Sequence, residues 1–206
     1  ILEYKGIQHI VGGLGTGKSN FITLETVRLV KQEQMRIGIV VEKVSQVLEK
    51  VEELTAYGIR AAPVIGRQRQ KYLKEYLETR RREGKCLDDW DALEQTAMAY
   101  LSGKCFLRAE ANDHDAVEHY PCERLIEEKG KKPHLCPYGD SCGFYANIRD
   151  MINADVWVTT GAAVLKSRLP KHFDSLERPI YEAIYDLLDV IFVDEASELY
   201  PNRSAS

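Results

Sequence analysis

Three groups of residues in this chain have types and spacings that could do chemistry. The first is Gly12-Gly13-Leu14-Gly15-Thr16-Gly17-Lys18-Ser19, which follows the pattern G-x-x-x-x-G-K-[ST]. Glycines at that spacing let successive backbone N–H groups close around phosphate oxygens, and a helix starting at the loop's end favours the same negative charge. Gly13, Gly15, Thr16 and Gly17 would form the cradle. Lys18 would reach the β- and γ-phosphates of ATP, and the Ser19 hydroxyl would sit on Mg²⁺. The second group is Asp194-Glu195, two carboxylates at the end of the apolar run Leu187-Leu188-Asp189-Val190-Ile191-Phe192-Val193. Asp194 would hold Mg²⁺ directly or through water, and Glu195 would orient or deprotonate the attacking water. Lys18 and Glu195 are therefore the candidate catalytic residues.

The third group is sulfur. Five cysteines are present, and four of them, Cys105, Cys122, Cys136 and Cys142, lie in one segment rich in turn formers. Tyr120-Pro121-Cys122, Cys136-Pro137-Tyr138-Gly139 and Cys142-Gly143 place thiols beside Pro and Gly, where the chain can wrap so that several thiolates point inward. Cysteines so placed are expected to pack poorly in a core and to serve well as metal ligands. Four thiolates suit either an iron–sulfur cluster or tetrahedral Zn²⁺. Cys86 is an alternative to Cys105 in the set. The run Cys136-Pro137-Tyr138-Gly139-Asp140-Ser141-Cys142-Gly143-Phe144 looks like part of a CCCH zinc finger, but Tyr145 stands where that finger needs His. Zinc is accordingly the second choice of metal.

The elements that must position these groups alternate strand and helix. Strand-like runs occur at Ile7–Val11, Ile37–Val41, Ala61–Ile65, Asp155–Thr160 and Val190–Val193. Phe21 to Lys31 suits a helix. Val44 to Tyr57 suits an amphipathic one, with Val44, Val47, Leu48, Val51 and Leu54 on one face and Gly58 as its stop. Pro63 places the third strand at an edge or keeps it short. An almost wholly apolar strand before Asp194 suits a parallel sheet buried on both faces. The βαβ rhythm implies an α/β fold, a P-loop domain with a parallel sheet. From about Gly66 to Cys142 the rhythm breaks. Arg67, Arg69, Lys71, Lys74, Arg80, Arg81, Arg82 and Lys85 outnumber the acids there. Such a run is a solvated helix face or a phosphate-contacting surface.

A chain of 206 residues can bury one good core with a small subdomain attached. Its net charge of −4 does not announce a nucleic-acid binder, though a local basic stripe can still bind phosphates. No apolar run is long enough to cross a bilayer, and no secretory signal is visible, so a cytoplasmic chain is expected. Five cysteines in such a chain argue for a metal or redox site rather than disulfides. The start at Ile1, almost on the first strand, suggests a piece of a longer protein.

In the order of these motifs the chain resembles the iron–sulfur DNA helicases of superfamily 2, the DinG/XPD type. The shared order runs from the P-loop, through a strand and helix, to Gly66-Arg67 and a cysteine-rich insertion. It continues with a Cys-Pro-Tyr element, the segment Ala154-Asp155-Val156-Trp157-Val158-Thr159-Thr160 with Ala163-Val164-Leu165, and the acidic box Asp194-Glu195-Ala196-Ser197. The box ends in Ser197 where the family commonly has His. The resemblance implies a RecA-like motor domain in two parts, 1–85 and 143–206, interrupted at 86–142 by a small, mostly helical insertion. That insertion would hold the [4Fe–4S] cluster on Cys105, Cys122, Cys136 and Cys142. The resemblance further implies an ATP-dependent 5′→3′ helicase acting on single-stranded or forked DNA, in the nucleoid or nucleus. A second motor domain, absent here, would complete the ATP site. Two other classes fit the residues: a zinc-stapled nucleic-acid-binding regulatory ATPase that does not unwind, and a P-loop switch or kinase unrelated to nucleic acid.

Overall fold

The computed structural model describes residues 6–7, 17–65, 134–139, 142 and 145–194. Among them the chain forms α1 (Lys18–Glu33), β1 (Ile37–Val41), α2 (Val44–Ala56) and β2 (Ala61–Val64). After the gap come α3 (Ala146–Asn153), β3 (Val156–Thr160), α4 (Gly161–Lys166), α5 (Ile180–Leu187) and β4 (Val190–Val193). The four strands make one sheet in the order β2-β3-β1-β4, and every pairing is parallel. The expected α/β class with a parallel sheet is therefore present. β3 inserts between β1 and β2, which come consecutively in sequence, so the sheet is closed by a strand supplied much later in the chain.

Side chains that alternate along each strand build two cores. On one face Ile37, Ile39, Val41, Val156, Val158 and Phe192 meet Ile22 and Leu29 of α1 and Val47, Leu48, Val51 and Leu54 of α2. On the other, Ala62, Val64 and Trp157 meet Ile148 and Met151 of α3 and Ile180, Ala183 and Ile184 of α5. The α2 stripe is the one expected from its spacing, with Val44 partly buried at its start. The helix begins where the Gln46 side chain accepts from the Lys43 N–H at 2.9 Å. It ends as expected at Gly58, whose φ of 74° is a conformation that disfavours any side chain. The Ile59 N–H then reaches back to the Leu54 carbonyl at 3.1 Å. Pro63 lies in β2, at an end of the described sheet, as its missing N–H requires.

Two expectations need correction. Strand β4 is not buried on both faces: Phe192 is buried, but Ile191 and Val193 are 46% and 42% exposed. Among the described residues β4 pairs on one side only, with β1. The apolar run before it is also not all strand. Leu187 closes α5, and Asp189 is a connector whose carboxylate accepts the Arg36 N–H at 2.8 Å. Helices α3, α4 and α5 were not foreseen. They are short, and α4 is capped by the Thr160 hydroxyl at the end of β3, which accepts the Ala163 N–H at 3.2 Å.

Arg36 ties the start of the sheet together. Its backbone exchanges hydrogen bonds with Asp189, its guanidinium donates to the carbonyls of Ile152 and Ala154 at 3.3 Å, and it lies 5.5 Å from the Trp157 ring centroid. Trp157 is buried and donates its indole N–H to the Met151 carbonyl at 2.7 Å. The N-terminal end of β1 and the C-terminal end of α3 are thus held at one place, before the site end of the sheet.

Candidate phosphate and magnesium site

Gly17 precedes α1 in a left-handed conformation, φ 79° and ψ 22°. Any L residue would be strained there, which is the physical reason for glycine just before Lys18. The turn is closed by the Phe21 N–H donating to the Gly17 carbonyl at 2.9 Å. The helix therefore starts immediately after the glycine-rich loop, so the positive end of its dipole lies where that loop joins it. Lys18 and Ser19 occupy its first turn, Lys18 half-buried and Ser19 exposed.

Asp194 arrives from the opposite end of the chain. Its N–H donates to the Val40 carbonyl at 2.9 Å, so the β1–β4 ladder runs up to the carboxylate-bearing residue itself. The Ser19 hydroxyl donates to Asp194 Oδ2 at 2.6 Å, across 175 positions of sequence. Two oxygens that converge in this way fit Mg²⁺, a hard cation with octahedral preference. Adjacent ligands 2.0–2.1 Å from the metal sit about 2.9 Å from each other, so the pair would open by only a few tenths of an ångström. Ser19 and Asp194 are the residues of this chain that would hold the ion, and the ion would neutralise charge on the phosphates.

Gly13, Gly15, Thr16, Glu195 and the strand run Ile7–Val11 fall wholly or mainly outside the described residues, as do Cys86, Cys105, Cys122 and the basic stripe from Arg67 to Lys85. Of the expected thiolates the structure describes Cys136 and Cys142, both free. Cys136 is 7% exposed and belongs to the second core, beside Tyr145, Ile148 and Trp157. The idea that a Pro-flanked cysteine packs poorly is therefore wrong at this position. Cys142 is half-buried against the same core.

Backbone hydrogen bonds link the described residues here. Gly139 N–H donates to the Cys136 carbonyl at 3.1 Å, Cys142 N–H to Gly139 at 3.3 Å, and Tyr145 N–H to Cys142 at 3.1 Å. Arg149 of α3 holds the Cys142 carbonyl at 2.8 Å, and His172 Nε2 lies 3.0 Å from the Cys136 carbonyl. A Cβ on Gly139 would run into the His172 ring, so glycine is required for that approach. Tyr145, where a CCCH finger would place its histidine, is a buried ring packed edge-on to Phe173 and 5.1 Å from His172. No group of three or more His, Cys, Asp or Glu side chains able to hold a metal occurs among the described residues.

Sequence reasoning missed two polar side chains near the site, Thr23 of α1 and Lys50 of α2. Lys50 had a signal: it stands three residues after Val47 and four before Leu54, within the apolar stripe of α2. A lysine there is either a defect or a partner for something polar. Its side chain is 13% exposed, and its ammonium bonds Thr23 Oγ1 at 2.8 Å and Glu53 Oε2 at 2.6 Å.

Comparison of the chain with protein-family models, curated proteins and solved structures returned no match.

Proposed function

We propose that this chain is the nucleotide-binding motor domain of an ATP-dependent DNA helicase of the iron–sulfur, DinG/XPD-like kind. The observation that carries the nucleotide part is the 2.6 Å bond between Ser19 and Asp194. A glycine-rich turn that bound nothing would have no reason to bring its serine to the carboxylate at the end of a strand. The parallel sheet, the left-handed Gly17 and the helix starting at Lys18 support the same reading.

In this reading Lys18 binds the β- and γ-phosphates, Ser19 and Asp194 hold Mg²⁺, and Glu195 takes the proton of the attacking water as ATP and water become ADP and phosphate. A second motor domain closes over the nucleotide and supplies the remaining charge. Its opening and closing move single-stranded DNA, 5′→3′ by resemblance to the family. Cys105, Cys122, Cys136 and Cys142 would hold a [4Fe–4S] cluster, which would staple a small lobe with too little core of its own. No helix among the described residues is long and apolar enough to cross a membrane.

Two measurements test the proposal. Titration with Mg·ADP should show binding that Lys18→Ala abolishes while the far-ultraviolet circular dichroism stays unchanged. Unaltered binding would remove Lys18 from the site. An anaerobic visible spectrum, with iron, sulfide and zinc quantitation, should show a cluster. A colourless chain holding one zinc would replace the helicase with the zinc-stapled regulatory ATPase. Substantial ATP turnover by this chain alone would refute the need for a second motor domain.

A further inference from the structure

A line of hydrogen bonds leads from α2 into the first turn of α1. Lys50 Nζ donates to Thr23 Oγ1 at 2.8 Å, and the Thr23 hydroxyl donates to the Ser19 carbonyl at 3.1 Å. The Ser19 hydroxyl donates in turn to Asp194 Oδ2 at 2.6 Å. The direction of each bond is forced. An ammonium has only protons to give, so the Thr23 oxygen accepts from Lys50 and its own single proton goes to Ser19. The first two bonds run in series from a charged donor and end on the Ser19 carbonyl; the bond from the Ser19 hydroxyl to Asp194 is a separate one made by the same residue.

The surroundings keep the line in place. Thr23 is 1% exposed, and the Lys50 ammonium is held from its other side by Glu53 at 2.6 Å. Val47, Val51 and Leu54, on the same face of α2 as Lys50, are buried in the core that also contains Ile22 and Leu29 of α1. A lysine in such a stripe gives up side-chain entropy and most of its hydration, and a polar function is the physical reason to keep it.

We propose that Lys50, acting through Thr23, is a positioning residue for the magnesium-facing hydroxyl of Ser19. The proposal rests on the nucleotide reading given above. Ser19 is the second residue of helix α1, and it is exposed, so packing does not fix it. The Thr23 hydroxyl pins the Ser19 backbone, and Lys50 fixes the rotamer of that hydroxyl. The Ser19 side chain then meets Asp194 without a search, and the cost of ordering it is met before nucleotide arrives. Glu53 holds the ammonium and does not touch the site.

The test uses the whole chain, with two probes, Mg·ADP and ADP in excess chelator. Thr23→Val keeps the shape of the side chain and breaks the line, whereas Thr23→Ser keeps the hydroxyl. Lys50→Met removes the donor. Thr23→Val and Lys50→Met should each weaken Mg·ADP about five-fold, and the double variant no more than the worse single one. Thr23→Ser should restore wild-type affinity. Metal-free ADP should bind Thr23→Val as it binds wild type, since the Ser19 hydroxyl has no magnesium to meet. Wild-type affinity for Mg·ADP in both variants would overturn the proposal. Equal weakening of both probes by Thr23→Val would do the same, because it marks general loosening of the helix. Should Lys50→Met fail to fold, the Thr23 pair carries the test alone. A wild-type chain that binds no Mg·ADP sinks the nucleotide reading itself; wild-type binding with indifferent variants sinks the positioning line only.

Discussion

Asp194→Asn separates a magnesium ligand from an ordinary strand-end carboxylate. The substitution keeps the size of the side chain and leaves the Val40–Asp194 ladder bond, which is made by backbone. It removes one negative charge and weakens the 2.6 Å bond from Ser19. That bond is solvent-exposed, so the fold should lose only about 0.5–1 kcal/mol, a fall of about 1–4 °C in Tm at this chain length. Magnesium sees much more. Unit charges 4 Å apart at an effective dielectric constant of 20 interact by about 4 kcal/mol, and part of that is returned as restored hydration. A net loss of about 2–3 kcal/mol corresponds to roughly 30- to 150-fold weaker Mg·ADP. Metal-free ADP has the opposite sign, since a carboxylate beside phosphates repels them. Its affinity should hold or rise in Asp194→Asn. Calorimetric titration with Mg·ADP, and again with ADP in chelator, reads both quantities. If the variant weakens the two forms alike, Asp194 supports the loop and does not hold the ion, and the reasoning from the Ser19 contact fails.

Three further outcomes follow from the packing. Trp157→Phe should cost about 2–3 kcal/mol, through the lost indole bond to the Met151 carbonyl and a cavity in the second core; a denaturation midpoint equal to wild type would show that α3 does not depend on that bond. Asp174 accepts from Arg178 Nε at 2.7 Å and from the backbone N–H groups of Leu176 and Arg178, and the Arg178 guanidinium, first among these, lowers its pKa. A carboxylate with a depressed folded pKa stabilises fully above its unfolded pKa, and the stabilisation is lost as the pH falls through the folded value. Asp174→Asn should therefore flatten the acid limb of the stability–pH curve while leaving the alkaline limb unmoved, and an unchanged acid limb would show that the pair contributes nothing. If the proposed cluster is bound, Cys136→Ser should bleach its spectrum; in either case it should destabilise the fold, because its hydroxyl enters an apolar core at a 7% exposed position, whereas Cys142→Ser, at a half-buried position, should not cause the same loss of Tm.

Much of what lies close together in sequence was legible there. Apolar spacing marked the α2 stripe, Gly58 marked its end, and Pro63 marked an edge strand, because each depends on neighbours within a turn or two. The runs at Ile37–Val41, Asp155–Thr160 and Val190–Val193 read as strands for the same reason. The exposure of Ile191 and Val193 was not legible. An apolar run states only that a strand could be covered on both faces, and its cover is set by what lies beside it in space. Cys136 failed in a similar way: Pro137 and Gly139 describe a turn correctly, but not that its cysteine joins the same core as Trp157 and Ile148. The short helices α3 to α5 escaped because a helix of one or two turns has too few periods to show a pattern.

By itself the sequence determined the ingredients of the proposed phosphate site. Gly17 permits the left-handed turn, Lys18 starts the helix, and Ser19 and Asp194 carry the two oxygens. Tertiary structure decided that they meet. Sequence spacing fixes contacts only where the chain is short enough to be rigid, and between Ser19 and Asp194 it is not. Closing that distance took the parallel register of β4 on β1 and the packing of α1 on the same sheet, which place the end of one strand and the beginning of one helix at a single point. The same packing turned Lys50 from an odd lysine in an apolar stripe into the head of a hydrogen-bonded line that ends at that point.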